Sequence, residues 1–316
     1  MLARDSEMGG RLIKVTVLGA GAMGSLFGGY LSKNNDIWLV DIDKQKINSI
    51  SKNGITISET DGDRIFRPQA VGSTETLGEM DLVIVFVKAM FTADALRQNR
   101  HLIGKDTYVM TLQNGAGHEA ALLQFVTRDH IIIGTTQHNS SLIANGHIHH
   151  GGGGATIIGL LDGNSSSLQP IADSFTECGF LTTTGDDVKK QIWCKLFLNS
   201  SASALTAVLQ VPLGFILKNL YAYSLMSRLV TEAVAVANAE GIATFEVDQV
   251  IEDVKAVLKG APDGYTSIYA DIKNGVHTEV DTISGSVIET AKRLGVAVPT
   301  HECIVALIHI MEEIAR

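Results

Sequence analysis

The spacing of apolar and polar positions changes once along the chain. Up to about residue 185, short β-rich runs alternate with amphipathic stretches. "KVTVL", "DIWLVDID", "DLVIVFVKAM" (81–90), "DTYVMTLQNGAG" (106–117), "HIIIGTT" and "GGGATIIGLL" read as strands. The third is apolar almost throughout, as a parallel strand covered on both faces must be. A helical "SLQPIADSFTECG" and a short "FLTTT" complete this half. From Asp186 the strand-like runs stop and 3.6-period segments begin. "DVKKQIWCKLFLNSSASALTAVL" has Asp186 or Asp187 as its N-cap, and "LYAYSLMSRLVTEAVAVANAEG" is stopped by Gly241. "EVDQVIEDVKAVLKG", "TSIYADIKNG", "TEVDTISGSVIETAKRLG" and "HECIVALIHIMEEIA" follow as further helices.

Size and composition fit this division. The 316 residues are enough for two domains of roughly 150 residues each. With 45% hydrophobic and 19% charged residues the composition is that of a globular protein. The net charge of -9 and the lack of a basic run argue against a nucleic-acid partner. No apolar run reads as approaching the ~18 residues of a membrane span, and no signal-peptide core precedes Leu12, so a cytoplasmic protein is expected. Residues 1–10 read as a loose extension. Cys178, Cys194 and Cys303 have no metal-type spacing and read as buried free thiols. In "HIHHGGGG", His147 and His149 fit one strand face and His150 the other, and no Cys or carboxylate nearby completes a metal site.

The turn after the first strand carries the clearest chemistry. Gly19-Ala20-Gly21-Ala22-Met23-Gly24 stands between a strand and a helical pattern. That context gives the glycine spacing its meaning. The first glycine permits the turn, the second lets backbone approach a pyrophosphate, and the third lets helix and strand pack closely. The helix start presents free N–H groups to phosphate. Asp41 closes the second strand 17 residues beyond Gly24, where a carboxylate accepts from the adenosine ribose 2′-hydroxyl and repels a 2′-phosphate. Helix capping is the competing role for Asp41. Lys88 and Asn114 end later strands and are expected toward the cofactor. The expected fold class is therefore α/β: a Rossmann-type NAD(P)-binding domain over 11–185, then an all-α domain over 186–316.

In the helical half, Lys195 and Asn199 lie four apart on an otherwise apolar helix and share a face, which Ser203 extends. Glu279 and Asp281 stand at a later helix start, and Ser267 precedes them. A ketone accepting hydride develops negative charge on oxygen and needs a cation or acid aimed there. Lys195 has the chemistry for that, with Glu279 as counter-charge. The competing role for Lys195 is a snorkelling surface cation, and for Glu279 a complement to the helix dipole.

The pieces "VLGAGAMGSLFGGYL", "VFVKA", "LQNGAGHE", "WCKLFLNSSASALTA", "HTEVDTISG" and "GVAVP" occur in the order found in the ketopantoate reductase (2-dehydropantoate 2-reductase) family, which the chain resembles over about 12–315. The resemblance implies NADPH-dependent reduction of a 2-keto acid to a D-2-hydroxy acid, ketopantoate to D-pantoate in pantothenate biosynthesis. It implies Lys195 as general acid, Glu279 as the glutamate that binds substrate and supports the lysine, Asn199 and Ser267 as substrate contacts, and Lys88 and Asn114 near cofactor and substrate. Ser203 stands where the family often has a second asparagine, and a further family asparagine falls near Leu213. The family's NADPH-type arginine falls on Ile42, so Asp41 and Ile42 favour NADH. These departures leave an NAD-dependent D-2-hydroxyacid dehydrogenase acting on branched 2-keto acids as an alternative. A catalytically silent NAD(P)-binding redox sensor is a third. The helix "LMSRLVTEAVAVANAEG" allows a homodimer, and equally an ordinary core helix.

Overall fold

The computed structural model describes residues 12–314; the extension 1–10 lies outside them. The chain divides into two compact units. One runs up to Gln113 and resumes over His118–Val188; the other comprises Asn114–Gly117 and the chain from Lys189 onward.

The first unit holds twelve strands: β1 (Lys14–Leu18), β2 (Asp36–Val40), β3 (Ile55–Glu59), β4 (Gly62–Phe66), β5 (Gln69–Val71), β6 (Leu82–Val85), β7 (Tyr108–Thr111), β8 (Ile131–Thr136), β9 (Asn139–Ala144), β10 (His147–Gly152), β11 (Thr156–Leu160) and β12 (Thr182–Thr184). Eight form one sheet in the order β12-β11-β8-β7-β6-β1-β2-β5. All its pairings are parallel except β8 with β11. β6 is fully buried, as its unbroken apolar run requires, but it is shorter than expected: after Val85 the chain leaves the sheet and turns at Ala89–Phe91. β1 lies between β2 and β6, so consecutive strands diverge to either side of it. In such sheets ligands bind beyond the strand ends at this reversal.

A second sheet, β4-β3-β10-β9, is absent from the sequence expectations. β3 and β4 form one hairpin; Asn145-Gly146 turns β9 into β10. β10 then pairs parallel with β3. His147 Nε2 lies 2.8 Å from Ser58 Oγ, and His150 Nδ1 2.6 Å from Glu59 Oε1. The histidines thus join the strands of this sheet. Among the described residues no group of three or more His, Cys, Asp or Glu is placed to hold a metal.

The second unit is helical. Helix Leu220–Ala239 is central, with Leu229, Val230, Ala233 and Ala237 fully buried. Helices Val247–Gly260, Val280–Leu294 and Pro299–Ile314 pack on it. The start of the last is capped by Glu232, which accepts from the N–H groups of Thr300 (2.9 Å) and His301 (3.0 Å) and contacts the buried His301 imidazole (2.9 Å). Burial pushes this carboxyl up, but those donors outweigh it and hold it at about 2.

Two expectations are corrected here. Val188–Leu209 is a continuous 22-residue helix, long and apolar enough by composition to cross a membrane. It is a core helix, with 61% of its most apolar window buried inside the protein's own fold. Of the three free cysteines only Cys178 is buried; Cys194 and Cys303 are exposed on their helices.

Candidate functional site

In the first unit the glycine turn is held by backbone contact. Gly19 has φ +102°, and its N–H donates to Val40 O at 2.8 Å. A Cβ on Gly24 would stand 1.8 Å from Gly19 O, so only glycine lets helix Ala22–Leu31 come this close. Nothing lies within 4 Å of where a Cβ on Gly21 would point. Ala20 and Gly24 are buried beneath the turn, while Gly21, Ala22 and Met23 are partly open. The helix start has no side-chain cap and no acidic residue in its first turn. These features suit a pyrophosphate, which needs uncapped N–H groups and room above them.

Asp41 follows β2 and braces the turn. Its Oδ2 accepts from Ala20 N (2.8 Å) and Lys46 Nζ (2.9 Å), and its Oδ1 from Asp43 N (2.9 Å). Burial pushes this carboxyl up, but the Asp43 N–H, the Lys46 ammonium and the Ala20 N–H together hold it below the usual carboxylate value. A carboxylate has roughly four acceptor directions, so one remains for a ribose hydroxyl. The capping role belongs to Asp43, whose side chain accepts from the N–H groups of Gln45 and Lys46 at the start of helix Lys44–Asn53. A groove of ≈ 730 Å³ runs past Gly21, Asp41, Ile42, Phe86, Lys88 and Phe91. Ile42 is 87% exposed beside it. Thr74 and Asn99, which sequence reasoning missed, also line it and are hydrogen-bonded to each other. The residues present fit a nicotinamide dinucleotide.

The second unit carries the lysine. Lys195 lies in the last turn of α-helix Val188–Leu198, which continues as a π-helical segment over Asn199–Ser203 and returns to α-helix at Ala204–Leu209. The expected plain α-helix is therefore corrected: a wider turn is inserted where the polar groups sit. Such insertions frequently mark functional sites. Within it Ser203 Oγ donates to Asn199 Oδ1 at 3.4 Å, so these two still share a face. Asp186, an expected N-cap, instead accepts from Ser165 N at 2.9 Å.

Lys195 is partly buried. Burial lowers its ammonium to about 8, while the charge of Glu279 works in the opposite direction. Glu279 is the N-cap residue of helix Val280–Leu294 but makes no side-chain capping bond. The Asn114–Gly117 loop docks beside it: Ala116 N–H donates to Thr282 O at 3.1 Å, and a Cβ on Gly115 would stand 1.8 Å from that same oxygen. Asn114 therefore groups with the helical unit rather than with the strand it follows. Ser267 is exposed at the start of helix Ser267–Lys273; its neighbour Thr266 donates to Ser203 O at 3.4 Å. Leu213 is buried in the helical core, with its N–H on Gly264 O. Lys195, Asn199, Ser203, Glu279 and Asn114 thus all belong to the second unit, whereas the glycine turn, Asp41 and Lys88 belong to the first.

The glycine turn and groove are those of a dinucleotide-binding fold, and the chain's relatives make it an NAD(P)-dependent oxidoreductase acting on a CH–OH group. The family follows from comparison with known proteins. The chain belongs to the ketopantoate reductase PanE/ApbA family, whose models match residues 15–163 and, for the C-terminal part, 187–312. A 2-dehydropantoate 2-reductase of Halobacterium salinarum is 31% identical over 304 residues, covering 95% of this chain and 99% of that protein. One of Streptococcus pyogenes is 31% identical over 303 residues, covering 95% and 98%. Among solved structures, D-mandelate dehydrogenase with NADH and anilino(oxo)acetate is similar at a TM-score of 0.90, with 30% identity and coverage of 96% and 99%. The 2-dehydropantoate 2-reductase of Geobacter metallireducens is similar at 0.85, with 29% identity and coverage of 94% and 99%.

Proposed function

We propose that the protein reduces a 2-keto acid to a D-2-hydroxy acid, with NADH preferred as the reductant. The observation that carries this reading is Lys195, an ammonium drawn down to about 8 by burial, with Glu279 as its counter-charge. A proton donor works best when its pKa lies near the working pH. When bound, the dihydronicotinamide supplies the hydride for the keto carbon. Lys195 donates the proton to the oxygen as it becomes an alkoxide, and its charge stabilises that oxygen beforehand. Glu279 keeps the lysine charged and accepts from a substrate hydroxyl where there is one. Asn199, with Ser203, Ser267 and Asn114, orients the substrate through neutral hydrogen bonds.

The NADH preference is supported by Asp41, which has an acceptor direction left for a ribose hydroxyl and would repel a 2′-phosphate. Exposed Ile42 offers that phosphate no cation, and Lys46 is already paired with Asp41. Ketopantoate is the substrate that the relatives' names suggest. A keto acid without the distal hydroxyl is a second reading, favoured by the short Ser203 and by the likeness to D-mandelate dehydrogenase.

Initial rates with ketopantoate, 2-ketoisovalerate and phenylglyoxylate, each with NADH and NADPH, separate these readings. Ketopantoate reduced fastest supports the family reaction; either of the others reduced fastest supports the dehydrogenase. No loss of reduced nicotinamide with any acid sinks the proposal. Glu279→Gln should chiefly raise KM for the hydroxylated substrate.

A further inference from the structure

Glu279 is presented by a short stretch of backbone, and both sides of that stretch are tied to one carboxylate on the last helix. Thr278, immediately before it, is buried. Its N–H and its hydroxyl both donate to Glu312 Oε1, at 2.7 and 2.6 Å. The same hydroxyl accepts from Val280 N–H at 3.2 Å, so its direction is fixed. His277 Nδ1 lies 3.0 Å from Glu312 Oε1. On the far side of Glu279, Asp281 Oδ1 is 3.0 Å from His309 Nε2, and His309 Nδ1 is 3.1 Å from Glu312 Oε2. Glu312 itself is buried in helix Pro299–Ile314.

A buried carboxylate is costly, and apolar packing in its place is often more stable. Glu312 is such a carboxylate. Its donors converge on the residues flanking Glu279, and the chain of contacts ends on exposed Asp281. Burial pushes the Glu312 carboxyl up, but the Thr278 hydroxyl and N–H and His309 hold it below its ordinary value. His309 is opposed by burial, yet Glu312 and Asp281 raise it above the usual histidine value. The bracket is therefore a charged one.

We propose that Glu312 is a positioning residue for the reaction proposed above: through Thr278 on one side and through His309 and Asp281 on the other, it fixes the backbone that presents Glu279 to Lys195. The inference rests on the roles given there to Lys195 and Glu279. A displacement of the order of 1 Å in such a group costs roughly 100-fold.

Glu312→Ala should lower kcat/KM for the 2-keto acid by about 10- to 100-fold. Glu312→Gln keeps an oxygen for Thr278 but loses the charge that faces His309, and should recover only part of that loss. The deciding measurement is a double-mutant cycle with Glu279→Ala. If Glu312 acts through Glu279, the double variant is no worse than Glu279→Ala within about threefold. Multiplied losses, or a Glu312→Ala enzyme within about twofold of the parent, overturn the proposal. Should Glu312→Ala fail to fold, Thr278→Val deletes only the hydroxyl and enters the same cycle, with Thr278→Ser as its rescue. A second readout does not need turnover. In ¹³C-methylated protein, the Lys195 resonance should titrate at lower pH in Glu312→Ala, as in Glu279→Gln; an unmoved titration overturns the positioning. If the parent enzyme reduces no 2-keto acid, the proposed function fails, and this titration still decides whether Glu312 holds Glu279 against Lys195.

Discussion

The glycine turn and the Lys195 helix solve opposite problems. The turn is built to bring backbone close to a ligand, so its determinants are the absence of side chains at Gly19 and Gly24 and one bracing carboxylate, Asp41. The helix is built to keep a charge where charge is costly, so its determinants are burial, a counter-ion and a local defect in the screw. The first achieves binding by shape. The second stores unfavourable free energy in the group to which the proposed reaction assigns the proton transfer.

This contrast can be broken from either side. Lys195→Ala should lower kcat by about 10²–10⁴ and leave NADH affinity, read by nicotinamide fluorescence, unchanged. A loss below about tenfold removes the general-acid role. Gly24→Ala should do the reverse, weakening NADH binding by about 10- to 100-fold as roughly 1–3 kcal/mol of overpacking displaces Gly19. Helical-unit stability should be little changed in that variant.

The acid–base side is tested by pH. Reduction needs Lys195 protonated, so kcat should be level below about 8 and fall about tenfold per unit above it. The Glu279→Gln enzyme should begin its fall at lower pH, because the group that raises the lysine is gone. A pH profile unaltered by that substitution would separate Glu279 from the lysine.

The smallest effect is on stability. The folded-state value for Lys195, about 8, lies below the ~10.4 of an unfolded chain. Between those values the unfolded chain binds more protons, so this group's contribution to stability rises with pH across that window and is most unfavourable below it. Lys195→Met should therefore stabilise the protein at pH 7 by about 1–3 kcal/mol, after allowance for the part of the side chain still exposed. The gain should shrink at pH 10, as read by denaturant unfolding. An active-site lysine whose removal destabilised the fold would instead be a structural residue.

The two regions also differ in how far the sequence exposed them. The glycine turn was legible because glycine spacing, a preceding strand and an acidic strand end are each local and reinforce one another. The division into a βα half and a helical half was legible for the same reason, since apolar period changes once. The second sheet was not. Strands such as "NSSLIA" and "HIHHGG" are mostly exposed and carry little alternation, although Asn145-Gly146 between them was a usable hairpin signal. In the candidate site, Lys195 and Asn199 stood out because charge and amide are rare on an apolar helix, and Glu279 because it stands at a helix start in a stretch that resembles the family's. The π-helical segment did not, because Ser200, Ser201 and Ala202 are small residues that state no preference of turn. Glu312 and His309 were hidden differently: they bear on Glu279 from a separate helix, which only the folded chain reveals.

The inserted turn has a further consequence for the length of the chain itself. Deleting one residue from a buried helix ordinarily rotates everything downstream by about 100° and scrambles its packing. Between Asn199 and Ser203 the helix already carries one residue more than an α-screw needs. A deletion there could be absorbed by tightening the turn, with Phe197 before it and Leu205 after it keeping the neighbours they have. The π-helical segment thus lets the core helix change its count at the place where Asn199 and Ser203 would be re-aimed, by insertion and deletion and not by substitution alone.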